Sequence, residues 1–237
     1  MTSAEPWFVG AFGGKMSQEY RRYMSEEWGV EKRGDQPLFE KLCLEGAQAG
    51  LSWATILAKR ENYRAAFHDF DIDRCAEMTS ADVDALVDGD GGVIRHRGKL
   101  ESVAHNARCV LAMRDEHKDE VPPEHGWFDE FLWSFVDGTP RLNDFESFQQ
   151  MPCETPASIA MSKALKARGF KFVGPKICYS LMQACGLVID HPRGTPEWLR
   201  AKKKLQATEP AGRDEAPEPR ATTPPPTKRP RRASRRH

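Results

Sequence analysis

The chain has 237 residues, 39% hydrophobic and 30% charged, enough for a substantial buried core in one large or two small domains. No apolar run approaches the roughly 20 residues that cross a bilayer, and Met1 to Trp7 lacks the basic and apolar regions of a signal peptide, so a cytosolic or nuclear protein is expected rather than a membrane or secreted one. The formal charge is zero, 35 basic residues against 35 acidic, but eight Arg or Lys against four Asp or Glu fall between Gln206 and His237, leaving the body near −4 and excluding a uniformly basic nucleic-acid binder while allowing a DNA enzyme with a local basic face.

In chain order, residues 1–19 carry Gly10, Gly13 and Gly14 and predict an irregular N-terminal segment. Residues 20–205 read as a single helical domain. Leu38, Phe39, Leu42, Leu44, Ala49, Leu51, Trp53, Ile56 and Leu57 recur at spacings of three and four, and no stretch keeps the alternation of a half-buried strand. Asp35-Gln36-Pro37 offers a cap and an N1 proline for one helix, and Thr79-Ser80-Ala81-Asp82 opens another through Val83, Leu86 and Val87. A helix is predicted from near Arg95 through Leu111, and a short one from Phe128 to Phe135, closed by Asp137-Gly138. Two more span Ser158–Arg168 and Pro175–Cys185, each stopped by a glycine, Gly169 and Gly186. There is no internal repeat.

Residues 206–237 hold seven of the seventeen prolines from Pro210 onward and almost no large apolar residue, a composition that predicts a disordered tail. Lys228-Arg229-Pro230-Arg231-Arg232 with Arg235-Arg236 reads as a nuclear localisation signal, a DNA tether or a merely solubilising run. The expected address is the nucleus in a eukaryotic cell and otherwise the cytoplasm and nucleoid. Cys43, Cys75, Cys109, Cys153, Cys178 and Cys185 form no Cys-x-x-Cys pair and are expected as reduced, buried thiols.

Two constellations carry chemistry. The last two predicted helices are joined by Gly169-Phe170-Lys171-Phe172-Val173-Gly174, the layout of a helix-hairpin-helix whose backbone amides face a DNA phosphate, although glycine-joined helices also occur in any α-bundle. Glu45 lies in the small and apolar run Leu44-Glu45-Gly46-Ala47-Gln48-Ala49-Gly50-Leu51-Ser52-Trp53, where a carboxylate is costly to bury without a partner or a task. On one continuous helix Glu45 and Trp53 would share a face, but Gly46 and Gly50 predict a break between them. Tyr20, Tyr23, Trp28 and Trp7 add aromatic faces. A carboxylate beside such rings suits a planar cationic ligand; the competing reading is an ordinary aromatic core in which Glu45 pairs with an arginine.

These residues resemble the 3-methyladenine DNA glycosylase I family. The matching blocks are Tyr20-x-x-Tyr23, Glu27-Trp28-Gly29-Val30, Leu42-Cys43-Leu44-Glu45-Gly46 through Trp53, Lys59-Arg60-Glu61-Asn62-Tyr63-Arg64 and Ile94-Arg95-His96-Arg97-Gly98-Lys99. Phe131-x-Trp133-Ser134-Phe135-Val136, Ser162 to Gly174, and Met182 to Val188 continue the match in the same order, over about Tyr20 to His191. The resemblance implies an all-α helix-hairpin-helix fold. It also implies a monofunctional glycosylase that removes 3-methyladenine from double-stranded DNA as a monomer without a cofactor. By position, Glu45 reads the flipped base, Tyr23 and Trp53 stack on it, and Trp28, Trp7 and Tyr20 line the pocket. Leu51 either wedges into the duplex or packs in the core. Gly169, Lys171 and Gly174 are expected at phosphates, and Arg95 and Arg97 are backbone contacts or solvated charges. Glycosylases of altered base choice and a lesion-binding protein without catalysis are the alternatives.

The chain also departs from the family. The family's structural zinc takes two Cys and two His from the two ends of the domain; here Met24 and Thr195 stand at two of those places, no Cys precedes Cys43, and only His191 remains. One ligand cannot build a tetrahedral site, so no zinc is expected. Asp190 and Lys176 sit where other helix-hairpin-helix glycosylases carry a catalytic Asp or Lys, a role the resembled family does not use; for Lys176 the simpler expectation is a solvated charge or a phosphate contact.

Overall fold

A computed structural model describes residues 6–11 and 16–208. The helices among them are α1 (Trp7–Ala11), α2 (Gln18–Glu26), α3 (Asp35–Gln48), α4 (Trp53–Leu57), α5 (Arg60–Ala66), α6 (Ile72–Glu77), α7 (Ser80–Asp88), α8 (Arg97–Glu116), α9 (Trp127–Trp133), α10 (Pro156–Ala167), α11 (Pro175–Ala184) and α12 (Pro196–Thr208). The expected all-α class holds. Two features differ from expectation at the N-terminal side and the middle. Part of the segment expected to be irregular is helical, α1, because Phe8 and Val9 are fully buried and fix it to the body. A two-residue parallel ladder joins β1 (Arg141–Leu142) to β2 (Val188–Ile189), too short to show as alternation. At the other end α12 runs to Thr208, past the expected boundary at 205, and the basic run from Lys228 lies outside the described residues.

The central element is α3, which packs against α4, α8, α9 and α11. Its Leu38, Phe39, Leu42 and Leu44 are fully buried, and each such side chain contributes roughly 1.5–3 kcal/mol relative to exposure. A helix surrounded on all sides has no polar face to give its charged residues. Lys41 and Glu45 are accordingly buried too.

The start of α3 is capped differently from the expectation. Gly34 is the N-cap and Asp35 the first helical residue. The Asp35 carboxylate instead accepts from the backbone amides of Phe128 and Asp129, 3.0 Å each, at the start of α9. Asp129 in turn accepts from the Gly34 amide at 2.7 Å. The two helices cap each other, each carboxylate at the positive end of its neighbour's dipole. The expected start of α7 holds, with Thr79 and Asp82 forming a reciprocal capping box, whereas α10 starts earlier than the expected Ser158, at Pro156 behind the cap Thr155.

Both predicted glycine stops are present. Gly169 (φ +89°) and Gly186 (φ +71°) follow α10 and α11 in the left-handed region. The amides of Gly169 and Phe170 return to Lys166 and Leu165, and those of Gly186 and Leu187 to Gln183 and Met182, the double closure typical of a helix ended by glycine. Of the cysteines, Cys43, Cys75, Cys178 and Cys185 are buried free thiols, Cys109 is half-buried, and Cys153 is exposed, against expectation. Burial pushes Cys75, Cys178 and Cys185 up to about 12, far from thiolate chemistry. No described helix is long and apolar enough to cross a membrane.

Candidate active site

The break between Glu45 and Trp53 occurs at one glycine only. Gly46 stays inside α3, while Gly50 adopts φ +76° and ends it. Gly46 serves close approach instead: a Cβ there would stand 3.2 Å from the Phe172 Cβ, so its smallness lets the hairpin lie on α3. The chain re-enters helix at Trp53, where the Ser52 hydroxyl accepts from the Thr55 amide at 3.2 Å. The carboxyl end of α3 is held by Lys99 of α8, whose Nζ donates to the carbonyls of Ala47 (2.9 Å) and Ala49 (2.6 Å). A cation there satisfies orphan carbonyls and the negative end of the helix dipole.

These supports bring Tyr23, Glu45 and Trp53 together. The Tyr23 and Trp53 rings lie 5.2 Å apart between centroids, with Tyr20 6.3 Å from Tyr23. Between them is a residue that the sequence reading passed over. Lys41 places its Nζ 3.5 Å from the Trp53 ring centroid, 4.7 Å from that of Tyr23, and 3.2 Å from the Glu45 Oε1, while donating to the Tyr23 hydroxyl at 2.8 Å. Glu45 therefore pairs with a lysine one helical turn before it, not with an arginine. Glu45 and Lys41 are only 4% and 6% exposed. Burial raises the Glu45 carboxyl against the pull of Lys41 and lowers the Lys41 ammonium against the pull of Glu45. Burial also raises Tyr20 and Tyr23, with Glu45 adding in the same direction. The indole Nε1 of Trp53 is buried without a hydrogen-bond partner.

Beside this cage a cavity of about 30 Å³ is lined by Tyr23, Glu27, Glu40, Lys41, Arg60 and neighbours, room for about one water. Arg60 grips Glu27 with two bonds, 2.6 and 3.1 Å, which ties the end of α2 to α5. A larger open groove, about 490 Å³ around Asp35, Arg114, His117 and Trp127, shares no lining residue with the cage.

Trp7 and Trp28 form a second aromatic group. Their centroids are 5.9 Å apart, and His191 meets them edge-on at 6.0 and 4.9 Å. His191 is buried and its pKa falls from 6.5 to about 4, by desolvation. It is a packing ring. Met24 is core, and the Thr195 hydroxyl accepts from the Trp198 amide at the start of α12. The residues at the family's zinc positions thus do not fit a zinc ion, and no described cluster of three or more His, Cys, Asp or Glu could hold one. The ends of the domain are joined instead by the aromatic group and by Lys204 to Glu31 at 2.6 Å, while the Trp198 indole donates to the Asn143 carbonyl at 3.0 Å and ties α12 to the residue after β1.

Leu51 stands at the tip between α3 and α4, 40% exposed, outside the core. In the hairpin the amides of Gly169 and Phe170 close α10, and that of Lys171 is bound by Asn106 Oδ1 at 2.8 Å, so these amides are not available to a phosphate as expected. The start of α11 is available. Gly174 caps it without a side-chain hydrogen bond, Pro175 takes N1, and Lys171 and Lys176 are exposed on either side, the arrangement that favours an anion. Asp190 is buried and accepts from Asn143 (2.6 Å), Gln183 (2.8 Å) and the Tyr179 hydroxyl, a saturated structural carboxylate. Arg95 pairs with Asp90, and Arg97 with Asp84 and Glu101, all exposed.

Comparison with known proteins covers the same region. The model of the methyladenine glycosylase family matches residues 14–197. The chain is 50% identical over 183 residues to DNA-3-methyladenine glycosylase 1 of Escherichia coli (strain K12), covering 76% of this chain and 93% of that protein. It is 46% identical to DNA-3-methyladenine glycosylase of Haemophilus influenzae (strain ATCC 51907 / DSM 11121 / KW20 / Rd) over 196 residues, 83% of this chain and 98% of that one. Among solved structures, 3-methyladenine DNA glycosylase I from Staphylococcus aureus superposes with a TM-score of 0.73 at 34% identity, over 81% of this chain and 97% of that chain.

Proposed function

Because the chain belongs to the methyladenine glycosylase family, we propose that it hydrolyses the N-glycosidic bond of 3-methyladenine in alkylated double-stranded DNA, with Glu45, Tyr23 and Trp53 as the base-binding set. The observation that carries this reading is the cage itself: one buried carboxylate and two ring faces converging on a position already suited to a cation. Methylation at N3 makes adenine cationic within the nucleotide. Breaking the bond to the sugar carbon returns the bonding pair to the base, which leaves neutral, so little acid catalysis is required. Water bonds to the sugar carbon and gives up its proton to solvent. Extruding the nucleotide costs a few kcal/mol, and stacking on an aromatic face returns about 1–3 kcal/mol. Unmodified adenine lacks the charge attraction, and selectivity follows from that difference. Glu45 accepts from the exocyclic amine of the stacked base.

On the DNA side, we assign to Leu51 the gap that the extruded nucleotide leaves, a reading its exposure supports, and to the start of α11 with Lys171 and Lys176 the contact with a phosphate. The experiment is to incubate methylated duplex with the protein and identify the bases released. The wild type is expected to release 3-methyladenine. Glu45→Gln, which keeps the shape and removes the charge, should lower the rate about 10- to 150-fold, the worth of one charge-assisted hydrogen bond. Release of other bases instead would establish altered base choice, DNA binding without release a lesion-binding protein, and a parental rate in Glu45→Gln would remove Glu45 from the reaction.

A further inference from the structure

We infer that Lys41 is a built-in occupant of the base cage and sets its selectivity: a damaged base enters only when the ammonium is displaced or loses its charge. The inference rests on the proposed base-binding role of the cage. Lys41 Nζ takes the three contacts assigned above to a cationic base, the Trp53 face, the Tyr23 face and the Glu45 carboxylate, and donates to the Tyr23 hydroxyl as well. Its charge cancels that of Glu45 at the point where the lesion's positive charge must be attracted. The adjoining cavity is too small for a purine while Lys41 stays.

The same cavity gives the ammonium somewhere to go. Its wall includes the carboxylates of Glu27 and Glu40, already paired with Arg60 and Arg64. Rotation of the flexible lysine stem exchanges one carboxylate environment for another and opens the ring faces. The charged or titratable groups around Lys41 are Glu40 and Glu45 on α3 itself, Tyr23 on α2 and Glu27 just after it, Lys32 before α3, Arg60 and Arg64 on α5, and the neutral Cys185 thiol after α11. Burial and Arg60 favour the uncharged amine, while Glu45 favours the ammonium. A wild-type cage should accept the cationic lesion better as pH rises.

The test uses the full chain, with Lys41→Met for shape without charge and Lys41→Gln, which keeps a donor for Glu45 should the first variant fold poorly. Thermal melting establishes folding. Release of 3-methyladenine from methylated duplex is measured from pH 6 to 9, and binding of free 3-methyladenine is followed by tryptophan fluorescence. The expected result is a KM at least about 10-fold lower in a folded variant and loss of the rise of kcat/KM with pH that the wild type shows. Tighter binding of the free base by the variant supports the inference even if the wild type releases no base, an outcome that would count against the proposed reaction alone. Unchanged or weaker base binding in folded variants, or a pH profile identical to that of the wild type, overturns it.

Discussion

At the scale of single residues, position 45 and position 41 have to be read as a pair. A carboxylate in an apolar run announces itself because burial without a partner is so unfavourable. Lys41 stands four residues earlier on the same helix, a spacing at which side chains can meet. What the spacing could not show is that the lysine turns inward onto Trp53, since that depends on α2 and α4 closing over it. Leu51 is the opposite case. The apolar period assigns it to the core, yet Gly50 turns the chain and leaves it 40% exposed. Leu51→Ala shortens a partly covered side chain outside the core, so stability should fall by no more than about 1 kcal/mol. Excision from duplex should fall several-fold while binding of free 3-methyladenine holds; a parallel loss of both would assign Leu51 to the fold rather than to the duplex.

At the scale of elements, the arrangement depends on contacts between helices distant in sequence. Asp35 looked like the cap of its own helix and is the cap of α9, because Gly34 turns the chain and presents the carboxylate to the amides of Phe128 and Asp129. The hairpin was recognisable from two glycines, but its position is fixed by Asn106 of α8, which donates to the Lys171 carbonyl (3.1 Å) and accepts from the Lys171 amide (2.8 Å). Asn106→Ala leaves two backbone groups without partners, a loss of about 1–3 kcal/mol. The expected outcome is weaker binding of duplex DNA with free-base binding retained, read by titration of each. Unchanged duplex affinity would show that the hairpin keeps its position without this clamp.

At the scale of the whole molecule, the two ends of the domain meet on His191. It packs edge-on against Trp28 and Trp7, and Gly29 is tolerated there alone, since a Cβ would come within 2.6 Å of its Nε2. A histidine held neutral in the fold, with a pKa of about 4 against 6.5, binds its proton less readily than in the unfolded chain. Stability is therefore fully present above pH 6.5 and falls as pH drops from 6.5 toward 4, by at most about 3 kcal/mol. Urea midpoints measured across that range should show the decline, and His191→Phe, which keeps a ring without a titratable group, should flatten it; an equal slope in the variant would place the acid sensitivity elsewhere.

The sequence alone determined the helical class, the glycine stops of α10 and α11 and the start of α7, because each depends on neighbours within a turn or two, while the residues of the cage were pointed to by the resemblance to the family. The tertiary structure decided which charge meets Glu45, which helix Asp35 caps, how the hairpin is clamped, and what joins the domain ends where Met24 and Thr195 stand. Those outcomes depend on side chains that only packing brings within a few ångströms, where burial and Coulomb attraction act over distance in space and not along the chain.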